Sequence, residues 1–293
     1  MKILVTGSNG QVGYCLSQQL SAKEWTVKAL AREQLDISDS TAVDKMVKEF
    51  APDIIINAAA YTAVDKAETD AEAAFRINRD GPQNLAKAAH AIDAIILHIS
   101  TDYVFAGDAS EAYQESAETA PQGVYGKSKL EGEVAVSQAN PKHIILRTAW
   151  VFCEHGNNFV KTMIRLGAQR DTLGIVADQV GGPTYAQDIA AALIKIAEQY
   201  NQQKDIPWGI YHFSGAPHVS WYEFASHIFS EVERADLYAK SIPDIKPIAT
   251  ADYPTPAKRP ANSRLDCTKI QHAFDINPSD WRAALKNIQD YAS

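Results

Sequence analysis

A tyrosine and a lysine one helical turn apart are the pair most suggestive of chemistry in this chain. Tyr125 and Lys129 occupy positions i and i+4 of the run Tyr-Gly-Lys-Ser-Lys, which places them on one face if the run is helical. An unperturbed tyrosine titrates near pH ~10, and a cation about 4 to 6 Å away lowers that pKa. The pair therefore predicts a phenol that exchanges a proton with a substrate oxygen, although the same spacing is common in surface helices.

Two hydroxyl side chains end an apolar run upstream of that pair. The run from 95 to 100 leads into Ser100 and Thr101, and ligands of open α/β sheets bind at the carboxyl ends of strands. Thr101 is therefore predicted to donate a hydrogen bond to a substrate carbonyl while Tyr125 supplies the proton. A local capping role for Thr101 is the simpler alternative.

Three glycines separate the first apolar run from the first helical segment. Gly7, Gly10 and Gly13 have the spacing GxxGxxG, and glycine permits a tight turn and a close approach to a pyrophosphate at a helix N-terminus. After the second apolar run, where NAD-binding proteins usually carry a carboxylate, the chain has Arg32. A guanidinium pairs with a 2′-phosphate, so NADPH is predicted to serve at least as well as NADH, unless Arg32 is only a solvated charge.

The elements that must position these residues alternate along the first half of the chain. Apolar runs typical of strands covered on both faces lie at 2–6, 26–30, 54–58, 95–100 and 143–147. Helical patterns follow at 40–50, 70–91, 187–200 and 221–232, the last with Ser220 as its N-cap. The alternation predicts an α/β fold, a Rossmann-type doubly wound parallel sheet with a smaller C-terminal substrate-binding domain. Residues 1–150, together with about 172–204, are assigned to the dinucleotide-binding domain, and the remaining parts of 151–293 to the substrate.

Composition and charge narrow the class of partner. There are 28 Lys and Arg residues against 36 Asp and Glu residues, a net charge of −8, which argues against nucleic acid. No stretch approaches the roughly 18 apolar residues of a membrane span, so we expect no membrane association and a cytoplasmic protein. Cys15, Cys153 and Cys267 are far apart in the sequence and predict neither a disulfide framework nor a zinc site.

Several motifs together resemble one family, the dTDP-4-dehydrorhamnose reductases of the extended short-chain dehydrogenase/reductase superfamily. Besides the glycines and the Tyr-Lys pair, they are Asn57-Ala-Ala-Ala-Tyr-Thr-Ala-Val-Asp-Lys-Ala-Glu68, Ser100-Thr-Asp-Tyr-Val-Phe105, Arg147-Thr-Ala-Trp-Val-Phe152, Asp178-Gln-Val-Gly-Gly-Pro-Thr184 and the run from Tyr253 to Ser263. The resemblance covers nearly the whole chain. It implies NADPH- or NADH-dependent reduction of the C4 ketone of dTDP-4-dehydro-β-L-rhamnose to dTDP-L-rhamnose. This is the last step of dTDP-L-rhamnose biosynthesis, which serves lipopolysaccharide O-antigen or cell-wall polysaccharide.

The resemblance also implies roles for individual residues. Thr101, Tyr125 and Lys129 match the family's catalytic triad, and the last two also contact the cofactor. The positions predicted to bind the cofactor are Gly7, Gly10, Gln11, Val12, Gly13, Arg32, Asp36, Ile37, Ala60, Tyr61 and Thr62. The positions implied to bind the sugar nucleotide are Thr101, Asp102, Tyr103 and Trp150.

One departure from the family concerns a metal. Some members bind Mg²⁺ through glutamates at a dimer interface, whereas the matching positions here are Cys15 and Gln187. Neither is a hard carboxylate ligand, so we predict no metal and leave homodimer formation open.

Two other functions stay open at this point. One is a sugar-nucleotide 4,6-dehydratase or epimerase on the same scaffold, and the other is a non-catalytic regulatory subunit resembling the methionine adenosyltransferase β subunit. Dehydratases carry an Asp-Glu pair after the threonine, whereas this chain has Asp102 and Tyr103, which favours simple reduction. The intact triad favours an enzyme over a regulatory subunit.

Overall fold

The computed structural model describes residues 1–239 and 241–292, and a six-stranded parallel sheet lies at its centre. The strands are β1 (Lys2–Thr6), β2 (Thr26–Leu30), β3 (Ile54–Asn57), β4 (Ile95–Thr101), β5 (His143–Thr148), β6 (Val151–Phe152), β7 (Thr172–Val176), β8 (Val180–Gly181), β9 (Thr184–Tyr185), β10 (Gly209–His212), β11 (Val219–Ser220), β12 (Asp244–Ile248) and β13 (Asn262–Ser263). The order across the main sheet is β10-β5-β4-β3-β1-β2, and all neighbours are parallel.

Helices cover both faces of this sheet. The α-helices are α1 (Gln11–Ser21), α2 (Ser40–Phe50), α3 (Val64–Ala67), α4 (Ala71–Phe75), α5 (Gly81–Ala91), α6 (Val124–Ala139), α7 (Phe159–Gln169), α8 (Ala186–Gln203), α9 (Trp221–Arg234), α10 (Thr268–Phe274) and α11 (Trp281–Leu285). Ile3 and Val5 belong to the apolar cluster with α1 and α8, whereas Leu4 belongs to the cluster with α2 and α5. Successive strand residues therefore meet cores on opposite faces, which explains the continuous apolar runs. The predicted doubly wound α/β fold is confirmed.

A second, smaller body of structure lies beyond the main sheet. β7 pairs in parallel with β12, and β8 lies between β11 and β13. Helices α7, α9 and α11 pack over these strands around a separate apolar cluster that includes Phe152, Leu173, Phe224 and Trp281. This body carries one wall of the cavity described below.

Two segments lie in the other body of the fold from the one to which the sequence assigned them. Gly209–His212 is the sixth strand of the main sheet because it pairs with β5. Thr172–Val176, in contrast, pairs with β12 outside that sheet, and its Leu173 and Ile175 side chains join the smaller core. Within the returning segment, α8 packs in the main core as expected. The domain division itself stays a prediction, with these two exceptions.

The helical pattern predicted over 70–91 is interrupted. Between α4 and α5 the chain forms a five-residue π-helical turn, Arg76–Asp80, and Pro82 begins the next helix. A π-turn inserts one extra residue per turn and frequently marks a functional site. Here it brings the buried Asn78 toward the loop after β3.

No helix in the part of the chain that the structure describes has the length and apolar character needed to cross a membrane.

Candidate active site

The three residues of the predicted triad meet at the carboxyl end of β4. Thr101 ends that strand, and its hydroxyl contacts the phenol of Tyr125 at the start of α6. The Lys129 ammonium donates a hydrogen bond to the carbonyl of Ile99 at 2.6 Å. The structure therefore brings Thr101, Tyr125 and Lys129 together, as their spacing suggested.

A glycine allows α6 to lie against the strand end. A Cβ atom on Gly126 would lie 2.2 Å from the carbonyl oxygen of Tyr103, a distance that no side chain could occupy. The adjacent residue of the helix is Tyr125, whose ring meets Tyr103 edge to face with 5.4 Å between centroids. The absence of a side chain at Gly126 thus sets the position of Tyr125 relative to the strand.

The electrostatics of the pair differ from the expectation. Desolvation raises the pKa of Tyr125 to about 12, the neighbouring Asp102 adds to the rise, and the Thr101 hydroxyl opposes it. Burial lowers the pKa of Lys129 to about 8, with Glu133 opposing. The predicted lowering of the Tyr125 pKa is therefore wrong for this structure, because desolvation dominates the shift. The phenol holds its proton at neutral pH and is available as a donor.

Asp102 is buried directly beside the triad. Its Oδ1 atom accepts a hydrogen bond from the Thr101 hydroxyl at 3.0 Å, whereas its Oδ2 atom has no partner among the described residues. Burial raises the pKa of this carboxyl group to about 6. The next residue, Tyr103, donates its backbone N–H to the Thr101 oxygen at 3.2 Å. The Ser263 and Thr101 side chains oppose the rise in the Asp102 pKa, so Asp102 fixes the Thr101 hydroxyl and lies close to Ser263.

The glycine turn serves packing as well as access. Gly7 has φ +75°, and a Cβ atom on it would lie 2.6 Å from the Ala59 backbone. A Cβ atom on Gly13 would lie 2.1 Å from the carbonyl oxygen of Gly7. Gly10, with its nearest neighbour at 3.4 Å, caps α1 without a side-chain hydrogen bond. The first N–H groups of that helix are therefore available to an anion.

A cavity of about 270 Å³ opens beside this turn. Of the residues predicted to bind a cofactor, those that line it are Gly7, Gly10, Arg32, Asp36, Ile37, Ala60 and Tyr61. Val12 and Gly13 are buried in α1, and Gln11 and Thr62 lie outside the lining. Ser38 donates two hydrogen bonds to Asp36, which lower the pKa of that carboxyl group, and Arg32 lowers it further. The cavity therefore has a glycine-lined end and an end where Arg32 lies near a carboxylate.

A larger cavity of about 480 Å³ is lined by residues from both bodies of the fold. Trp150, Trp221 and Phe159 form one apolar wall, with 3.5 Å between the ring centroids of the two stacked tryptophans and 4.6 Å from Trp221 to Phe159. Trp150 has φ +47°, a conformation that costs a residue other than glycine free energy and is often found at functional sites. The Trp150 indole fits here because residue 181 is a glycine. A Cβ atom on Gly181 would lie 2.6 Å from the indole.

A proline-rich loop borders the same cavity and is bonded to helix α3, which follows β3 of the main sheet. Arg259 donates to Asp65 at 2.6 Å, and the Ala257 backbone N–H donates to the other oxygen of Asp65 at 3.1 Å. The Nη1 atom of Arg259 is buried and has no partner among the described residues. Tyr103 lines this cavity too, and its ring meets that of Tyr125, so the triad lies next to the cavity behind Tyr103.

Reasoning from the sequence missed Trp221 and Asn78. Trp221 begins a helix after its N-cap, where an aromatic residue reads as ordinary core. The Asn78 amide accepts from the Tyr61 N–H at 2.8 Å and donates to the Tyr61 carbonyl and to Ser128, so it joins the cofactor cavity to α6. An asparagine within an alanine-rich helical pattern, followed closely by Pro82, was the available signal.

Cys15 and Gln187 occupy the positions that match the Mg²⁺-binding glutamates of some family members. Cys15 is buried in α1, and the Gln187 amide lies 3.5 Å from a carboxylate oxygen of Glu154. Residues 1–239 and 241–292 contain no group of three or more His, Cys, Asp or Glu side chains arranged to hold a metal ion. The absence of a metal from the working protein stays a prediction.

Comparison with known proteins gives a consistent family. The family model described as RmlD substrate binding domain matches residues 1–293. A dTDP-4-dehydrorhamnose reductase from Aggregatibacter actinomycetemcomitans is 52% identical over 99% of both chains, and one from Escherichia coli K12 is 39% identical over 98% of this chain and 97% of that relative.

Solved structures agree. A dTDP-4-dehydrorhamnose reductase from Clostridium acetobutylicum has a TM-score of 0.91 and 42% identity over 99% of both chains. One from Bacillus anthracis, solved in complex with NADP, has a TM-score of 0.89 and 37% identity over 97% of both chains. A Thermus thermophilus UDP-glucose 4-epimerase, 20% identical with a TM-score of 0.79 over 100% of this chain and 99% of that one, shares the fold. From the triad, the two cavities and these full-length similarities, the chain belongs to the dTDP-4-dehydrorhamnose reductase family.

Proposed function

We propose that this chain reduces the C4 ketone of dTDP-4-dehydro-β-L-rhamnose to dTDP-L-rhamnose, using NADPH or NADH. The observation that supports this most strongly is the meeting of Tyr125, Thr101 and Lys129 next to a cavity wide enough for a sugar nucleotide. Reductases of that name match it along their whole length. A dehydratase would need a second carboxylate directly after Asp102, and this chain has Tyr103 at that position.

The proposed roles of the triad follow from its protonation. When bound, the nicotinamide cofactor supplies the hydride that reduces the ketone. Tyr125, protonated at neutral pH, donates its proton to the C4 oxygen, and the Thr101 hydroxyl orients that oxygen. Lys129, held at the Ile99 carbonyl, stabilises the phenolate that remains.

The cavity of about 270 Å³ fits the adenosine half of a dinucleotide. Gln11 and Val12 offer backbone N–H groups to the pyrophosphate at the start of α1. Gly10, whose own N–H donates to the Gly7 carbonyl, lets the pyrophosphate approach because it has no side chain. The adenine ring would lie near Asp36 and Ile37, and the Arg32 guanidinium suits a 2′-phosphate. We place Ala60, Tyr61 and Thr62 along the middle of the cofactor, where the Asn78 amide fixes the backbone of Tyr61.

The larger cavity suits a sugar nucleotide. Its stacked tryptophans offer an apolar face for a sugar ring and its methyl group. The Oδ2 atom of Asp102 can accept from a sugar hydroxyl, and the unpartnered Nη1 atom of Arg259 suits a phosphate oxygen. Tyr103 and Trp150 complete the contacts proposed for the sugar. The cytoplasmic location and a homodimer stay predictions.

The function is tested by supplying both possible substrates. With dTDP-4-dehydro-β-L-rhamnose and NADPH, we expect one dinucleotide to be oxidised per sugar and NMR to identify dTDP-L-rhamnose. The opposing incubation uses dTDP-glucose with oxidised cofactor. A 4-keto-6-deoxy product formed there without net cofactor change would identify a dehydratase, and dinucleotide binding without turnover of either sugar would indicate a regulatory subunit.

A further inference from the structure

A buried ion pair lies behind the triad and takes no part in the proposed chemistry. Arg147 on β5 donates to both carboxylate oxygens of Glu133 on α6, at 2.9 and 2.7 Å. Both side chains are 3% exposed. The Ser100 hydroxyl donates to the same carboxylate at 2.5 Å. Three charge-assisted hydrogen bonds therefore converge on Glu133.

The position of Glu133 links the two elements that hold the triad. On α6 it follows Lys129 by one turn and Tyr125 by two. On β4 its partner Ser100 stands between Ile99, whose carbonyl accepts from Lys129, and Thr101. Loss of the carboxylate would therefore free both the end of β4 and the face of α6 that carries the lysine.

The charges around Lys129 give the carboxylate a second role. Burial takes the ammonium out of water and lowers its pKa to about 8, and Glu133 opposes that change. The other titratable groups nearby are the positive Arg147 and, on β4, His98, whose pKa burial and Lys129 hold well below its usual value. Asp102 acts on Tyr125. Glu133 is thus the negative charge that compensates the ammonium from its own helix.

Energetics alone give little reason to keep such a pair. Burying two charges costs several kcal/mol of desolvation per ion, and apolar residues of similar volume are often as stable or more so. A pair that also bonds the strand end beside the triad has a reason to remain that packing does not supply.

We propose that Glu133 is a positioning residue that compensates the charge of the Lys129 ammonium and fixes the end of β4 that carries Thr101. The inference rests on the proposed reductase function. Glu133 touches neither the cofactor cavity nor the larger cavity, so its effect on turnover passes through Lys129 and Ser100.

The test compares Glu133→Gln with Glu131→Gln, the same change on the same helix at an exposed position paired with Arg79. Glu133→Gln removes the negative charge that opposes the effect of burial on Lys129, so the ammonium loses its proton at a lower pH. We expect the alkaline limb of the pH profile of kcat to move down by about one unit. Glu131→Gln should keep the profile of the unmodified protein.

A readout independent of turnover accompanies the kinetics. NMR of isotope-labelled lysine follows the titration of Lys129 directly, with its signal assigned by its loss in Lys129→Arg. We expect the same downward shift in Glu133→Gln without cofactor or substrate. If Glu133→Gln does not fold, Arg147→Gln is measured instead, and its uncompensated carboxylate should move the Lys129 titration upward.

The outcomes separate the inference from the function on which it rests. If the unmodified protein does not reduce the ketone, the proposed function fails, while the NMR titration still tests Glu133. If it does reduce the ketone, and neither variant moves the titration of Lys129 or the alkaline limb, Glu133 has only a structural role and the inference is overturned. Glu133→Asp, which keeps the charge, should retain the alkaline limb even where its kcat falls.

Discussion

Tyr125 stands where desolvation favours its neutral form, so the residue acts as a proton donor whose supply does not limit the reaction near neutrality. Replacing it by phenylalanine keeps the ring against Tyr103 and removes only the hydroxyl. We expect Tyr125→Phe to lower kcat by about 10² to 10⁴-fold, the usual contribution of a general acid, with cofactor affinity retained. Steady-state rates and dinucleotide fluorescence titration measure the two effects. Tyr14→Phe, at an exposed position, is the control, and an unchanged kcat in Tyr125→Phe would exclude this role.

Arg32 decides the choice of dinucleotide if it pairs with the 2′-phosphate. Its neighbour Glu33 lines the same cavity and would repel that phosphate. The Arg32 guanidinium would therefore have to offset the negative charge of Glu33. We expect Arg32→Ala to lower kcat/KM for NADPH by about tenfold, which corresponds to roughly 1.4 kcal/mol, and to leave the value for NADH within about twofold. Kinetics with both dinucleotides measure this, with Lys45→Ala as a surface control. A tenfold preference of the unmodified protein for NADH would contradict the argument.

At the residue scale, sequence reasoning worked where one local spacing carries the chemistry. The i, i+4 relation of Tyr125 and Lys129 and the strand-end position of Thr101 are properties of single elements. The pKa of Tyr125 could not be predicted, because it depends on how much water the assembled fold excludes. Trp221 and Glu133 were missed because their partners, Trp150 and Arg147, lie on other elements.

At the scale of elements, helix α6 is seated by glycines. A Cβ atom on Gly126 would meet Tyr103 at 2.2 Å, so the helix would have to move away from the strand end. We expect Gly126→Ala to lower the free energy of unfolding by about 1 to 3 kcal/mol and kcat by about 10²-fold, since small misplacements of catalytic groups cost that much. Urea denaturation and kinetics check both. Val134→Ala on the exposed face of α6 should change neither, and a fully active Gly126→Ala would refute the account.

The main sheet contains two buried histidines, His98 on β4 and His212 on β10. Burial, with Arg147 nearby, lowers the pKa of His212 to about 3, whereas an unfolded histidine titrates near ~6.5. Below that pH the unfolded state binds protons first, so stability that is complete above about pH 6.5 is lost as the pH falls towards 3. We expect each histidine to contribute a slope of about 1.4 kcal/mol per pH unit.

Urea denaturation between about pH 7 and 5 measures this slope. The amide in His212→Gln can still donate to the Tyr113 carbonyl that His212 contacts at 3.0 Å. In this variant the slope of the unfolding free energy against pH should fall by the contribution of one histidine. An unchanged slope would mean that His212 is protonated in the folded state.

Strands were predictable where both faces are buried, because β1, β3 and β4 contain continuous buried apolar runs. β10 was not recognised as a strand of the main sheet, since it has four residues and its pairing partner β5 lies far away in sequence. Similarly, the 70–91 pattern has the composition of one helix, whereas contacts of Asn78 with Tyr61 and Ser128, which are distant in sequence, hold the π-turn inside it. Non-local pairing decided both cases.

At the scale of the whole molecule, the sequence predicts activity that is independent of metal. Cys15 and Gln187 stand where some family members have Mg²⁺-binding glutamates, and neither is a ligand that Mg²⁺ prefers. We expect incubation with EDTA followed by gel filtration to leave kcat unchanged, and added Mg²⁺ to restore nothing. Elemental analysis of active protein provides the check, and a stoichiometric metal would show the prediction to be wrong.

The order of the chain through the main sheet has a consequence for truncation and for synthesis. β10 covers the outer edge of β5, yet α7, β7 and β8 of the smaller body stand between the two strands in sequence. A fragment ended near residue 150 would carry all five earlier strands and still leave β5 with a row of unpaired N–H and C=O groups, a surface that invites pairing with other chains. A ribosome likewise releases β5 well before the residues that cover it. The edge of β5 is covered only after Gly209–His212 has emerged.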